Sequence, residues 1–289
     1  MAKQYLVFVS IIILFCLNLF AWAFVLEINK SAPLEVIFFD VGQGDAILIK
    51  VASFCQILID GGPQRNILEK LSAEMPFWDK KIDFIILTHP EKDHMEGLIS
   101  VLETYEVDNI LWTGVEKETE IFRAWEKVLE QEKQKGAKEY LAQAGQKIIV
   151  NNAEIEILHP FEILADSSLI KDVNRTSIVA KLIFKNISFL FTGDIYSQDE
   201  KNIIEQGSDL ETDILKLAHH GSKTSTSRNF IEATLPKMAI VSCGKNNIYG
   251  HPHEQVLSLL SEYDINVLRT DINGDIKIQS NGQSFFIKN

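Results

Sequence analysis

Five short apolar runs in this chain each close on aspartate, glycine or histidine: LEVIFFD, CQILIDGG, KIDFIILTH, ISFLFTGD and DILKLAHHG. Runs of that length, rich in Ile, Leu, Val and Phe and bounded by turn residues, read as buried or half-buried strands. A strand end is a rigid place to hold a side chain, and the loops beyond neighbouring strands converge on one edge of a sheet. The chain is thereby constrained to a sheet-based fold whose polar residues gather along a rim.

Further runs of the same style (DAILIKV, VDNILWTG, QKIIV, AEIEILHP, SIVAKLIF, MAIVSCG, INVLRTD and DIKIQS) extend the strand pattern to both halves of the chain. Helical patterns fall at 68–75, 94–105, 197–206, 227–234 and 253–263. A long charged helix is expected around 118–135, closed by Gly136. Strand-rich halves with interspersed helices point to two packed sheets covered by helices, an αββα sandwich of the α/β class over 34–289. No linker divides it, and 289 residues are ample for a large core.

The N-terminus is of a different kind. Residues 5–26, YLVFVSIIILFCLNLFAWAFVL, include no charged side chain. As a helix those 22 residues reach across a bilayer, while the small-residue triplet AWA at 21–23 also suits a signal-peptidase site. Residues 1–26 are expected to be a transmembrane anchor or a cleaved signal peptide, and 27–33 a spacer. Either way the remainder lies outside the cytoplasm, with the N-terminus inside. The alternative is secretion. Three cysteines, Cys16, Cys55 and Cys243, share no metal-type spacing and no disulfide pattern, and read as small apolar residues.

The candidate chemistry lies just past the strands. His89, Glu91, Asp93 and His94 crowd into THPEKDHMEG; Asp194 ends FLFTGD; His219 and His220 sit in KLAHHGS. Imidazoles and carboxylates together suit borderline and hard cations such as zinc and manganese. Two such ions about 3.5–4 Å apart can activate water and clamp a phosphoryl or acyl oxygen. The net charge of −12 argues against a broad electrostatic grip on nucleic acid. A bound cation would reverse the field locally, so a polyanionic substrate stays compatible.

These motifs, with FFDVGQGDAILI, LKLAHHGSKTSTS, NNIYGHP and RTDINGDIKI, resemble the metallo-β-lactamase-fold domain of ComEC-type competence proteins over about 34–289. The resemblance implies one or two divalent metal ions, zinc or manganese. One ion would be held by Asp93, His94, Asp194 and His220, and a second by His89, Glu91 and the bridging Asp194. Asn174, in VNRTSIV, stands where related two-metal hydrolases carry a further histidine; an amide is a poor zinc ligand, which leaves the second site weaker and tilts it toward manganese or magnesium. His159 is an outside substitute. His219 would bind phosphate or act as general acid, with Asp93 the other catalytic residue, and Asp60 would orient a ligand histidine. Asp40, Gln43 and Asp45 occupy a tight turn with either a structural or a supporting role. Ser222, Lys223, Thr224 and Ser225 would supply anion-binding donors at a helix start, and Lys245, Asn247, Tyr249 and His251 would face substrate.

The function implied is an exported metal-dependent hydrolase, a phosphodiesterase or nuclease acting on DNA, tethered to the membrane by its N-terminal helix. One apolar helix cannot form a channel, so a separate permease would be the translocating partner. Two alternatives stand beside it: a phosphodiesterase on cell-wall or choline-phosphate polymers, and a non-catalytic domain that binds DNA or a partner. Oligomeric state is not legible in the sequence.

Overall fold

The structure, a computed structural model, describes residues 2–30, 33–52, 55–164 and 170–288, and in its first helix the side chains of 4, 5 and 7–22. That helix, α1, runs Ala2–Lys30, so helix replaces most of the expected spacer. Its described apolar side chains, from Tyr5 to Trp22, are exposed. Among the described residues no helix is long and apolar enough to cross a membrane. The expected span at 5–26 extends over residues whose side chains lie outside the described ones.

The first sheet is built from β1 (Leu34–Phe38), β2 (Ile47–Val51), β3 (Cys55–Ile59), β4 (Lys81–Ile86), β5 (Glu106–Trp112) and β6 (Lys138–Leu141). The second takes β7 (Lys147–Val150), β8 (Ala153–His159), β9 (Val179–Phe184), β10 (Ile187–Phe191), β11 (Ile214–Lys216), β12 (Met238–Val241) and β13 (Asn266–Arg269). The chain then returns to the first sheet with β14 (Ile276–Ser280) and β15 (Phe285–Lys288), giving the order β15-β14-β1-β2-β3-β4-β5-β6 against β13-β12-β11-β10-β9-β8-β7. The helices α2 (Ile67–Glu74), α3 (Lys92–Thr104), α4 (Glu120–Lys135), α5 (Ser197–Glu205), α6 (Arg228–Thr234), α7 (Glu254–Glu262) and the short α8 (Thr270–Asn273) follow the expected pattern apart from α8, which takes up the end of the expected strand INVLRTD. The terse β6, KEYL, also escaped the sequence reading because only half its side chains are apolar.

Side-chain alternation explains the layers. In β1, Leu34, Val36 and Phe38 enter the core between the sheets, while Ile37 and the following Phe39 enter the core under the helices. In β10, Ile187, Phe189 and Phe191 face the inter-sheet core and Leu190 the outer one. Strands buried on both faces read as continuous apolar runs, which is why their ends are so sharply marked in sequence. The αββα arrangement is thus two sheets face to face with helices outside.

One contact fixes where α3 sits. A Cβ added to Gly97 in α3 would lie 1.9 Å from the Gly61 carbonyl oxygen, and the Gly97 amide donates to the Gly62 carbonyl at 2.9 Å. Bare backbone on both sides lets the start of α3 dock against the loop after β3. This brings His94, three residues earlier in α3, against Asp60.

Candidate metal centre

Three imidazoles meet at the rim where strands of both sheets end. His89 follows β4, His94 lies in the first turn of α3, and His220 follows β11. Each has its Nδ1 committed. Thr88 Oγ1 donates to Asp60 Oδ2 at 2.7 Å, so it accepts from His89 Nδ1 at 3.0 Å. His94 Nδ1 donates to Asp60 Oδ2 at 2.7 Å, and His220 Nδ1 to the Ser242 carbonyl at 2.9 Å. With Nδ1 so held, Nε2 is the nitrogen left to offer a lone pair, in neutral His89 as it stands and in His94 and His220 once they lose a proton. All three Nε2 atoms are buried without a hydrogen-bond partner, as is Asp194 Oδ1.

Those atoms face one another. His94 Nε2 is 3.5 Å from Asp194 Oδ1, His220 Nε2 is 3.4 Å from Asp93 Oδ2 and 3.6 Å from Asp194 Oδ2. Ligands at about 2.1 Å around a tetrahedral ion stand about 3.4 Å apart. Ligand atoms of Asp93, His94 and His220 all lie within 4.8 Å of one another, and so do those of His89, His94 and Asp194. Burying orphaned donors and acceptors is costly unless something satisfies them; a divalent cation fits this donor set.

The electrostatics agree. Burial resists ionisation of Asp93, but His220 and His94 outweigh it and bring its carboxyl down to about 2. Asp194 falls well below the usual range for the same reason, with His220 and His94 the main attractions. Burial, aided by neighbouring His94, pushes His89 down to about 3 and keeps it neutral. Burial also opposes charge on His94 and His220. Carboxylates reverse that: Asp194 and Asp60 raise His94 well above its ordinary value, and Asp194 and Asp45 lift His220 to about 10.

Local backbone holds the groups in place. Asp194 donates its amide to Ser177 Oγ at 3.0 Å, and the His219 amide donates to the Gly193 carbonyl at 3.0 Å, tying the two second-sheet loops together. Asp60 (φ 55°), His219 (φ 50°) and His220 (φ 56°) all adopt left-handed backbone, uncommon for non-glycine residues and concentrated at functional sites.

Several expected roles resolve differently. Glu91 is drawn aside: its Oε1 is 2.5 Å from Lys117 Nζ, and it belongs to none of the close ligand groups, because a neighbouring ammonium offers a nearer counter-charge. Asn174 lines the cleft but bonds Tyr196 Oη at 3.3 Å. His159 binds the Ser177 carbonyl at 2.9 Å, away from the cluster. In HHGSKTSTS, Ser222 and Ser225 are buried and Thr224 is exposed: Ser222 pairs with Thr224 at 2.9 Å and Ser225 donates to the Ile195 carbonyl at 2.7 Å. Lys223 and Lys245 are exposed. Asn247 braces its own loop through the His251 amide and carbonyl.

Lys216 went unnamed in the sequence reading, and Asp45, read there with either a structural or a supporting role, is its partner. Lys216 is only 1% exposed, and its Nζ lies 2.7 Å from Asp45 Oδ2, whose other oxygen is 3.3 Å from His220 Nδ1. LKLAHHG carried a signal, a lysine inside an apolar strand, but its partner lies 171 positions away.

Above the cluster opens a cleft of about 170 Å³ lined by Gln43, Glu91, Asp93, Asn174, Asp194, His219, His220, Tyr249 and His251. His219 stands at its wall with Nε2 3.9 Å from Asp194 Oδ2, edge-on to Tyr196 and His251. Burial lowers its pKa, so it is neutral at pH 7. A larger cavity of about 670 Å³, bordered by His159, Arg175 and Asp199, adjoins residues outside the described ones and contains none of the clustered ligands.

No protein-family model matches the chain. It is 31% identical over 265 residues to ComE operon protein 3 of Bacillus subtilis, covering 86% of this chain and 33% of that protein. It is 29% identical over 254 residues to competence protein ComA of Neisseria gonorrhoeae, covering 86% of this chain and 32% of the relative. The chain thus spans about a third of the length of these relatives. Among solved structures it resembles the metallo-β-lactamase fold protein YhfI of Bacillus subtilis, with TM-score 0.57 and 13% identity over 86% of this chain and 100% of that one. The chain is therefore a homologue of these competence proteins over one segment of theirs, and its fold is the metallo-β-lactamase fold.

Proposed function

We propose that the chain is a metal-dependent hydrolase that cleaves phosphodiesters, with DNA as the substrate that its kinship to competence proteins favours. The observation that carries this reading is the convergence of three buried, partnerless Nε2 atoms on Asp194 and Asp93. Asp93, His94, Asp194 and His220 would hold one divalent cation, zinc or manganese. His89 and Asp194 would offer a second, poorer place, which Glu91 completes only by leaving Lys117. A cation bound there supplies Lewis acidity and water activation.

The chain's own residues do the rest. Asp60 and Thr88 orient His94 and His89, and Ser242 with Asp45 orients His220. Asp93, ionised, would accept a hydrogen bond from the attacking water and orient it. His219, neutral at pH 7, donates an N–H to a phosphoryl oxygen, a role its lowered pKa suits better than that of general acid. Tyr249 and His251, stacked with ring centroids 5.6 Å apart, continue the lining beside His219. Membrane association through α1, with the domain outside the cytoplasm, and a separate permease partner complete the proposal.

The test is metal content of the purified chain together with hydrolysis of bis-p-nitrophenyl phosphate and of DNA. Manganese- or zinc-dependent turnover, lost in Asp93→Asn and Asp194→Asn with the fold retained, is the expected result. A chain that retains no divalent metal would refute it. The chain that binds metal and DNA without turnover would instead be the non-catalytic binding domain; turnover confined to phosphocholine-bearing polymers would redirect the substrate.

A further inference from the structure

Phe77 and Trp78 stand 83% and 72% exposed, a degree of exposure large aromatics seldom have without a purpose. They occupy the tip of a turn closed by the Asp79 amide donating to the Pro76 carbonyl at 2.8 Å. Their rings pack edge to face, centroids 4.7 Å apart, and neither enters a core cluster of the described residues.

Their place in the fold says what they meet. Strand β1 is antiparallel to β2, β2 to β3, and β3 is parallel to β4. The N-terminal ends of β1, β3 and β4 therefore share one end of the sheet, while Asp60 and His89 follow the opposite ends of β3 and β4. The Phe77–Trp78 turn immediately precedes β4. Its anchor is direct: Lys50 Nζ lies 2.6 Å from Glu35 Oε2, in the second position of β1, and 3.4 Å from Glu74 Oε2, at the end of α2. Helix α1 ends at Lys30, and four residue steps to Leu34 at the head of β1 span at most about 14 Å. The aromatic turn and the head of β1, to which α1 leads, thus share one end of the sheet, the end away from the metal centre.

We propose that this turn is a second membrane contact: Phe77 and Trp78 insert at the headgroup–acyl boundary of the lipid bilayer that α1 enters, and together they hold the metal centre facing away from the membrane. Aromatic side chains at that depth are favoured by their amphipathic rings, and two attachments on one end fix an orientation that one helix alone leaves free. The inference rests on the reading of α1 as membrane-associated.

Two tryptophans separate the two claims. Trp22 reports on α1 and Trp78 on the turn, while Trp112 and Trp125 are 7% and 0% exposed and unreachable by lipid. The full chain is reconstituted in phosphatidylcholine–phosphatidylglycerol vesicles whose acyl chains are brominated near the headgroup. Emission of the Trp22→Phe chain should be quenched relative to unbrominated vesicles, and that quenching should vanish in Trp22→Phe/Trp78→Phe. In the Trp78→Phe chain, Trp22 should remain quenched. Quenching at Trp22 without quenching at Trp78 would overturn the proposal, leaving the turn in water or on a protein partner. Absence of quenching at Trp22 would overturn the reading of α1, and this inference with it.

Discussion

Replacing Lys216 by methionine should destabilise the chain by about 3–5 kcal/mol, although the lysine touches neither cleft nor substrate. The ammonium is 1% exposed, 2.7 Å from Asp45 Oδ2, and also donates to the Leu217 carbonyl at 3.0 Å. At an effective dielectric of about 20, that separation corresponds to roughly 6 kcal/mol of attraction before desolvation. Burial pushes the Asp45 carboxyl toward its neutral form, and Lys216 is the largest of the attractions that hold it ionised. Without the lysine, the carboxylate, 2% exposed, keeps His220 as its close counter-charge and loses the larger attraction. Asp45→Asn strands the ammonium instead and should cost a similar amount.

The pair identifies itself through non-additivity. Asp45→Asn/Lys216→Met removes both charges at once and should cost less than the sum of the single changes by about 2–3 kcal/mol. Urea unfolding of the detergent-solubilised, chelator-treated chain, followed by circular dichroism, measures this with metal linkage removed. Additivity within about 0.5 kcal/mol would refute a coupled buried pair. Restored stability with weakened metal retention in the double variant would show that the same pair also steadies His220.

Cation binding should release protons: at neutral pH His94 and His220 hold theirs in the metal-free chain, with raised pKa values set by Asp194, Asp60 and Asp45 against the opposing effect of burial. Roughly one to two protons per ion should appear in calorimetry across buffers of different ionisation enthalpy, affinity should fall as pH falls, and buffer-independent heats would refute this. Lys117→Ala frees Glu91 from its 2.5 Å pairing and should raise the divalent cation bound per chain, read by elemental analysis; an unchanged ratio would leave Glu91 out of the centre. Burial resists ionisation of Glu35, but Lys50 and Gln279 outweigh it and lower its pKa from 4.5 to about 2. Its contribution, about 1 kcal/mol after solvent screening, is present above pH 4.5 and lost as pH falls toward 2, so Glu35→Gln should flatten the acid limb of the stability curve. Gly97→Ala forces a Cβ to 1.9 Å from the Gly61 oxygen and should cost about 3 kcal/mol in thermal unfolding, with weaker metal retention as α3 is displaced.

The strands and the clustered ends of KIDFIILTH, FLFTGD and KLAHHG were legible because each rests on local pattern: an apolar run, then a turn residue, then a histidine or aspartate. Asp60 was legible for the same reason, as the acid closing CQILIDGG. Pairings across long sequence separations were not. Asp45 and Lys216 come from different sheets, and nothing near either announces the other. Glu91 occupies a ligand's position in the motif, yet Lys117, beyond β5, captures it. Ser222, Thr224 and Ser225 have anion-binding composition, but a hydroxyl's partner depends on which way its loop turns, and here Ser222 and Ser225 turn inward.

The centre is divided between the two sheets in a way that ties metal to fold. His89, Asp93 and His94, with Asp60 and Asp45 behind them, come from the first sheet and its helix; Asp194, His219 and His220 come from the second. Neither half alone brings the imidazoles and Asp194 together. The strained left-handed backbone at Asp60, His219 and His220 and the mutual repulsion of Asp45, Asp60, Asp93 and Asp194 oppose closing this rim, while the inter-sheet core favours it. A cation held by both halves would bind only the closed arrangement, and its binding free energy would add to the stability of the sheet pairing. Under the proposed function, such an ion would offset the strain and charge that the same site introduces.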